Sequence, residues 1–598
     1  MMKRKDASSE YKWDFSHLYQ NDQQWKKDLK LMVEKAEEYQ LFQNRLKQKE
    51  VFFRYLALER ELEIILDKMM MYLHDGDTDT ANQNFQELEG LLDNECQKIT
   101  IATAFIEPEL KEVGEETIMI FLNSDPEYSR YQYGFKKFFE NAKHLLTKHD
   151  EELLSKVGKS RGAIHALYDT LASADRRDEE VVYQNKQQIL TQSLMAEIAE
   201  DTDPIQEQAY RLEVATIFNK NYTDHKHSFA SIYEGILQGD VETVQIRNYE
   251  STLQASLSDD AVPVATYLKL LAVGKKYHQG LHEYVQLVKE HFEMEKFYLS
   301  DYSLKLVKNY DRKFNVEEAK TIIRAALKIM GEEYIQKLEI AWSNNKIDYY
   351  EDTNKRHGAY STGGSGLDPI ILMNWDDKLG SVNTLAHEIG HSVHTLFADQ
   401  TQPYPLNNYP IIVAEVASTI NEHLLFDYMY QHAAHDDEKI YLLQHRIKDL
   451  IGTFTTQIQY SAFEYQAHQL VENDQPLTAD ILGKLFAQTR AEYGYDVFDQ
   501  EPDTQGLTYV WPYISHFFHS PYYVYKYAID VVASFKLYQD IQAGNTQTTL
   551  NFLKAGGCQE PMKIMLDAGI DFTQEATYLP LIKAIDAYLQ ELKILLKK

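Results

Sequence analysis

Residues 381–397 read SVNTLAHEIGHSVHTLF, and the rest of the chain is organised around them. Leu385, Ala386, Ile389, Val393, Leu396 and Phe397 recur at the three- and four-residue spacing of a buried helix face, with Ser381 expected as its N-cap. On such a helix His387 and His391 stand one turn apart on the same side. Two imidazoles stacked in this way can each give a ring nitrogen to one Zn2+ at about 2.0–2.1 Å. Glu388, next to the first histidine, would then reach a water activated by the metal and take a proton from it. Gly390, between the histidines, allows another element to approach closely.

A catalytic zinc takes three protein ligands and keeps one position open. Asp399, Glu415 and Glu422 are the downstream candidates. Residues 411–426, IIVAEVASTINEHLLF, read as a second amphipathic helix, and Glu415 is a charge set among Ile412, Val413, Val416 and Ala417. A carboxylate in that company is costly unless it is paired or metal-bound. The loop before it carries Pro403, Pro405 and Pro410, which can turn the chain back. Glu415 is therefore expected as the third ligand. Glu422, two turns on along the same face, is expected to orient a ligand from behind.

Several motifs follow in a fixed order: GAYS at 358–361, TLAHEIGHSVH at 384–394, AEVAST at 414–419 and HFFHSPYYVYKY at 516–527. Together they resemble the oligoendopeptidase F branch of the thimet oligopeptidase family of zinc peptidases. The YKWDFSHLY start at 11–19 and the region 145–174 extend the resemblance through most of the chain. It implies a mainly α fold of two helical lobes enclosing a deep cleft, with a small β-sheet beside the His-Glu-x-x-His helix. It also implies one zinc ion per chain and cleavage of internal bonds in short peptides. By the same resemblance Tyr525 is the first choice and His516 the second for stabilising the oxyanion. Gly358, Ala359, Tyr360, His519 and Tyr522 are assigned to substrate. The thimet branch has a glycine-rich segment where this chain has residues 517–521, a departure that bears on which tyrosine plays which part.

Composition narrows the alternatives. A balance of 61 basic against 92 acidic residues gives −31, which repels nucleic acids and anionic membranes. No apolar run is long enough for a membrane span, and the basic residues 3–5 lead into polar sequence rather than the apolar core of a signal peptide. Cys96 and Cys558 form no metal or disulfide pattern, which points to a reducing, cytoplasmic setting. Oligomeric state is left open.

In order, residues 25–122 read as long antiparallel helices, and 148–158 as a helix ending on Gly158. Residues 179–183 and 189–193 suggest a short two-stranded excursion before the turn at Pro204. A division is expected near 200, with 1–200 as a helical N-terminal lobe and 201–598 as the catalytic domain. Asn315 is expected to cap a helix running to Met330. The glycine- and serine-rich residues 360–366 are read as a flap. Residues 369–374, PIILMN, are read as a strand whose free edge could pair with an extended substrate. The contrasting reading is a helical interaction scaffold with a structural or vestigial metal site. A structural zinc, however, needs a closed fourth ligand and no adjacent carboxylate.

Overall fold

Few glycines and prolines interrupt the first third of the chain, and it winds into helices accordingly. In a computed structural model, which describes residues 3–307, 312–343, 345–500 and 508–597, these include Asp22–Ala36, Lys49–Leu73 and Gln83–Thr103. The first opens on Asn21, whose side chain accepts from the Gln24 N–H. Trp25, Leu29 and Met32 pack with Phe52, Leu56, Leu88 and Leu92 in one apolar cluster. Each such buried side chain contributes on the order of 1.5–3 kcal/mol.

The described residues are mainly helical and divide into two compact units. One draws on residues 1–152, 311–428 and 537–568, and the other on 153–310, 429–536 and 569–598. The boundary expected near 200 divides the chain in sequence order, whereas each unit gathers three separate stretches. The expected excursion is present as an antiparallel hairpin, β1 (Glu180–Tyr183) and β2 (Lys186–Ile189), but its second strand ends at Ile189 instead of running over 189–193, where Thr191 already caps the helix Gln192–Asp201 through the Leu194 N–H. Asn315 caps the helix Val316–Leu327 through the Glu318 N–H. The helix begun at Lys148 does not stop at Gly158 but runs to Asp169, because nothing at Gly158 turns the backbone out of helical geometry.

The first unit contains a three-stranded sheet of β3 (Ile347–Tyr350), β4 (Tyr360–Gly364) and β5 (Leu367–Trp375), in the order β3-β5-β4. β5 pairs parallel with β3 and antiparallel with β4. Ile370 and Leu372 face a cluster with Trp13, Phe15 and Met71. By the two-residue period Ile371 and Met373 face the other side, and β5 also packs on the helix Leu379–Thr401.

Two expectations are corrected here. Residues 369–374 lie in the central strand, paired on both sides, so the edge beyond it belongs to β4. Residues 360–366 are not a flap but β4 and its turn into β5. At Gly363 φ is 154°, and an added Cβ would lie 2.5 Å from Pro369 Cα, so this close pairing of β4 and β5 excludes any side chain. The Gly366 N–H donates to Asp399 Oδ2 at 2.8 Å, tying the turn to the long helix.

An ion cluster anchors the sheet to the start of the chain. Asp348, fully buried on β3, accepts from Arg4 Nε at 2.8 Å and from Lys355 Nζ at 2.7 Å. Lys355 also donates to the Asp348 and Tyr350 carbonyls. A buried carboxylate so surrounded satisfies its lone pairs without water.

Candidate metal centre

The helix Leu379–Thr401 has Lys378, not Ser381, at its N-cap position, and no side chain caps it there. The Ser381 hydroxyl instead donates to Asp376 Oδ1 at 2.6 Å and accepts from the Asp376 N–H, fixing the turn out of β5. From this helix His387 and His391 project side by side. The helix Ala414–Gln431 supplies Glu415 and Glu422.

Gly390 sets the distance between the two helices. An added Cβ there would lie 2.4 Å from Ser418 Cα and 2.8 Å from the Ala417 carbonyl oxygen. These are backbone atoms that cannot swing aside. Asn421, fully buried, ties the pair further by donating to the Ala386 carbonyl at 2.9 Å while accepting from the Tyr334 hydroxyl.

Three potential ligand atoms then form a near-equilateral triangle. His391 Nε2 lies 3.1 Å from His387 Nε2, and Glu415 Oε2 lies 3.2 and 3.4 Å from those two nitrogens. Four ligands in a tetrahedron around zinc, each about 2.05 Å from it, are separated by about 3.3 Å. The triangle therefore fits one face of such a tetrahedron. Among the described residues these three form the group of His, Cys and acidic side chains able to hold a metal ion.

The surroundings favour a cation. Glu422 Oε1 accepts from His387 Nδ1 at 2.7 Å, which leaves Nε2 free to face the other ligands. The Ser418 hydroxyl donates to Glu415 Oε2 at 3.1 Å. Burial works against charge on His387, but Glu415 and Glu422 outweigh it and hold that imidazole well above its usual pKa. Burial likewise raises Glu415, while His387 and His391 pull it far below the usual carboxylate range. Glu388, 6% exposed, is raised first by burial and then by Glu415 and Glu422, against the two imidazoles.

Asp399, the other candidate ligand, is committed to the Gly366 N–H and the Asn407 amide. Gly358 has φ 81°, and its carbonyl accepts from the Asn374 amide at 2.8 Å. Ala359 follows, and the Tyr360 hydroxyl on β4 donates to Asp77. Ser418, Asn421 and Asp376 were not singled out from the sequence. Ser418 had a usable signal, since a hydroxyl three residues after Glu415 falls on the same helix face.

The aromatic stretch lies in the second unit. Tyr525 opens the helix Tyr525–Gln542 and is 1% exposed, with its ring edge-on to Tyr267 at 5.1 Å. Its hydroxyl has no hydrogen-bond partner among the described residues. Burial, reinforced by Asp260 and Asp530, pushes the phenol well above its usual pKa and keeps it a donor. The Tyr522 hydroxyl is 3.1 Å from Thr252 Oγ1. His516 Nε2 is 3.4 Å from the Tyr527 hydroxyl, and His519 Nε2 is 2.9 Å from Asp169 Oδ1. His387, Glu388, His391, Glu415 and Glu422 thus come together in one unit, while these four aromatic residues belong to the other.

Comparison with known proteins adds independent findings. The family model described as Peptidase family M3 matches residues 204–583, and that described as Oligopeptidase F matches 109–177. The chain is 28% identical to oligopeptidase PepF of Bacillus subtilis, an alignment covering 100% of this chain and 88% of the relative. It is also 28% identical to the group B oligopeptidase PepB of Streptococcus agalactiae, over 96% of this chain and 95% of that protein. Among solved structures, a putative peptidase from Chlamydophila abortus superposes with a TM-score of 0.88 at 27% identity, covering 99% of both chains. Oligoendopeptidase-F from Enterococcus faecium shares the fold, with a TM-score of 0.72 at 24% identity over 96% of this chain and 99% of that one.

Proposed function

The chain belongs to peptidase family M3, the metallopeptidases that cleave oligopeptides, and we propose that it works with one zinc ion held by His387, His391 and Glu415. The observation that carries this reading is the triangle of donor atoms with edges of 3.1–3.4 Å, beside the buried carboxylate of Glu388.

When bound, zinc supplies Lewis-acid polarisation of a scissile carbonyl and of a water. The chain's own residues do the rest. The Glu388 carboxylate takes a proton from the attacking water and returns it to the leaving amide nitrogen, and its raised pKa suits it to both transfers. Glu422 holds the His387 ring so that Nε2 faces inward. By the family resemblance, Tyr525 is kept as the first choice and His516 as the second for stabilising the oxyanion. For the substrate backbone, the open edge of β4 with Gly358, Ala359 and Tyr360 offers main-chain pairing to an extended peptide, and His519 and Tyr522 belong to the same substrate assignment.

In sequence order we retain 1–200 as the N-terminal helical part and 201–598 as the catalytic part, a division supported by family matches ending at 177 and beginning at 204. No helix among the described residues is long and apolar enough to cross a membrane. Cys96 and Cys558 are both free thiols, which supports a cytoplasmic setting. The net charge of −31 repels phosphate backbones, which supports peptides rather than nucleic acids as partners.

The test is metal analysis combined with cleavage of internally quenched peptides by wild type and Glu388→Gln. The variant should keep its zinc and its fold while kcat falls by about 1,000-fold or more. Near-normal turnover in the zinc-loaded variant would remove Glu388 from the mechanism, and a wild-type protein without stoichiometric zinc would remove the metal assignment.

A further inference from the structure

Glu388, Ser392, Thr395 and Asp399 recur at intervals of four, three and four residues along the helix Leu379–Thr401, so they share one face of it. β4 packs on that helix, within the same unit. The Ser392 hydroxyl lies 2.8 Å from that of Ser361 on β4. A Cβ added at Gly364 would lie 3.6 Å from Thr395 Cγ2, and Asp399 Oδ2 accepts from the Gly366 N–H in the turn that follows. Later residues of the strand thus meet later residues of the helix, and the two run in the same direction. Glu388, about one helical turn before Ser392, is placed toward the start of β4.

Ser361 stands where an apolar residue is expected. Tyr360 joins the cluster of Trp13, Phe15 and Leu372 on one face of the sheet, so by the two-residue period Ser361 points to the other, beside its ladder partner Ile371. Ile371 is fully buried, as is Ser392 on the helix. An apolar contact would let a strand slide along a helix at small cost, since apolar burial has no preferred direction. A hydroxyl pair resists sliding, because its bond weakens away from one distance and angle and a buried hydroxyl left without a partner is costly. β4 is therefore held at one position along the helix that carries His387, Glu388 and His391.

We propose that the Ser361–Ser392 hydroxyl pair is a register pin, which fixes the substrate-pairing edge of β4 against Glu388 and the metal ligands and so selects which bond of a paired peptide is cut. This rests on the reading of the β4 edge as the strand that pairs with substrate. A peptide paired with that edge advances about 3.4 Å per residue, and its hydrogen bonds hold it in fixed steps relative to β4. The position of β4 along the helix then decides which carbonyl arrives beside Glu388. Ser361 points at the helix and Ser392 is buried beneath the sheet, so both are positioning residues that touch neither substrate nor metal.

The experiment compares Ser361→Thr with Ser361→Val, two side chains of the same shape that differ in the hydroxyl, so any change in packing is common to both. It measures kcat, KM and zinc content and maps by mass spectrometry the cuts made in a short peptide that the wild type cleaves at one bond. Ser361→Thr should cut as the wild type does. Ser361→Val should keep its zinc and its KM within about twofold, lose about tenfold in kcat, and spread its cuts to the bonds on either side. Ser392→Ala removes the other hydroxyl and should reproduce this pattern, which also serves if Ser361→Val does not fold. The double variant should lose little more than either single one. Equal behaviour of Ser361→Thr and Ser361→Val would overturn the proposal, as would a loss of zinc or a fall in kcat with the cutting position unchanged. The β4 reading is tested apart, with peptides N-methylated at one nitrogen at a time outside the cleaved bond. Methylation should raise KM at alternate positions, where the peptide N–H pairs with the strand. No effect at any position would remove β4 as the pairing edge and the pin with it, whereas an alternating effect with equal threonine and valine variants would remove the pin alone.

Discussion

His387, His391 and Glu415 sit on regular helical backbone, whereas Tyr522 and Tyr525 are delivered by a turn whose first tyrosine has φ 54°. In the first region the spacing of residues already fixes which side chains meet, since four residues make about one turn. In the second, direction depends on contacts from Glu464, His468 and Thr252, all more than 50 residues away in sequence. A metal centre tolerates little misplacement, and two helices in backbone contact provide that rigidity cheaply. The turn is held by polar and ring contacts, so its geometry is open to conditions that change those contacts.

Gly390→Ala is the sharpest way to break the first half of this comparison. Its Cβ would meet the Ser418 backbone at 2.4 Å, so the helices must separate and Glu415 must leave the histidines. Overpacking of this kind costs about 1–3 kcal/mol in stability. A shift of about 1 Å in a catalytic group costs on the order of 100-fold in rate, so kcat/KM should fall by that factor or more, and bound metal with it. Unchanged metal content and activity would mean that the donor triangle does not depend on the helix contact.

How much of this the sequence disclosed follows from the same distinction. The motif helix, the Glu415 helix, the Asn315 cap and the first strand of the β1–β2 hairpin rest on local patterns and were legible. So was the choice of Glu415, because a charge among Ile412, Val413 and Val416 needs a partner. The role of residues 369–374 was not legible, since a buried apolar run reads the same in a central strand as at an edge, and only the pairing of β4 beside it decides. Residues 360–366 were misread as a flap because glycine permits flexibility, while here Gly363 is required by the close approach to Pro369. Helix ends at Ser381 and Gly158 were misplaced for a related reason: both residue types fit a helix terminus but are also accommodated inside one.

The second region should itself respond to pH. Burial pushes Glu464 up to about 7 from an ordinary value near 4.5, despite the opposing pull of His468 and the Tyr522 N–H. A carboxyl raised in the folded state holds its proton more tightly there than when unfolded. Its contribution is therefore complete below about pH 4.5 and is lost as pH rises through about 7. His468, lowered by burial but raised more by Asp240 and Glu464, shifts in the same sense. The stability lost is up to about 3 kcal/mol. Melting curves between pH 5 and 8 should show a decline in wild type that is flatter in Glu464→Gln; parallel curves would place the pH response elsewhere.

The smallest expected effect returns to the metal centre and asks whether helical geometry alone suffices. Glu422 touches no other donor of the triangle, yet its Oε1 lies 2.7 Å from His387 Nδ1. That bond fixes which ring nitrogen carries the proton and keeps Nε2 bare and facing His391 and Glu415. In Glu422→Ala the His387 ring is free to rotate or to hold its proton on Nε2, and one negative charge beside the cation is gone. The helices and the Gly390 contact stay as they are, so the fold and the spacing of His387 and His391 are unaffected. Metal affinity should drop by about 10–100-fold, read by competition with a chromogenic chelator. The Glu388-dependent rate at saturating zinc should change much less. An affinity equal to wild type would show that two histidines four residues apart, facing Glu415 across a glycine contact, are held in place by backbone alone. A loss as large as that of Glu415→Ala would instead mean that Glu422 contributes to the cation as directly as a ligand does.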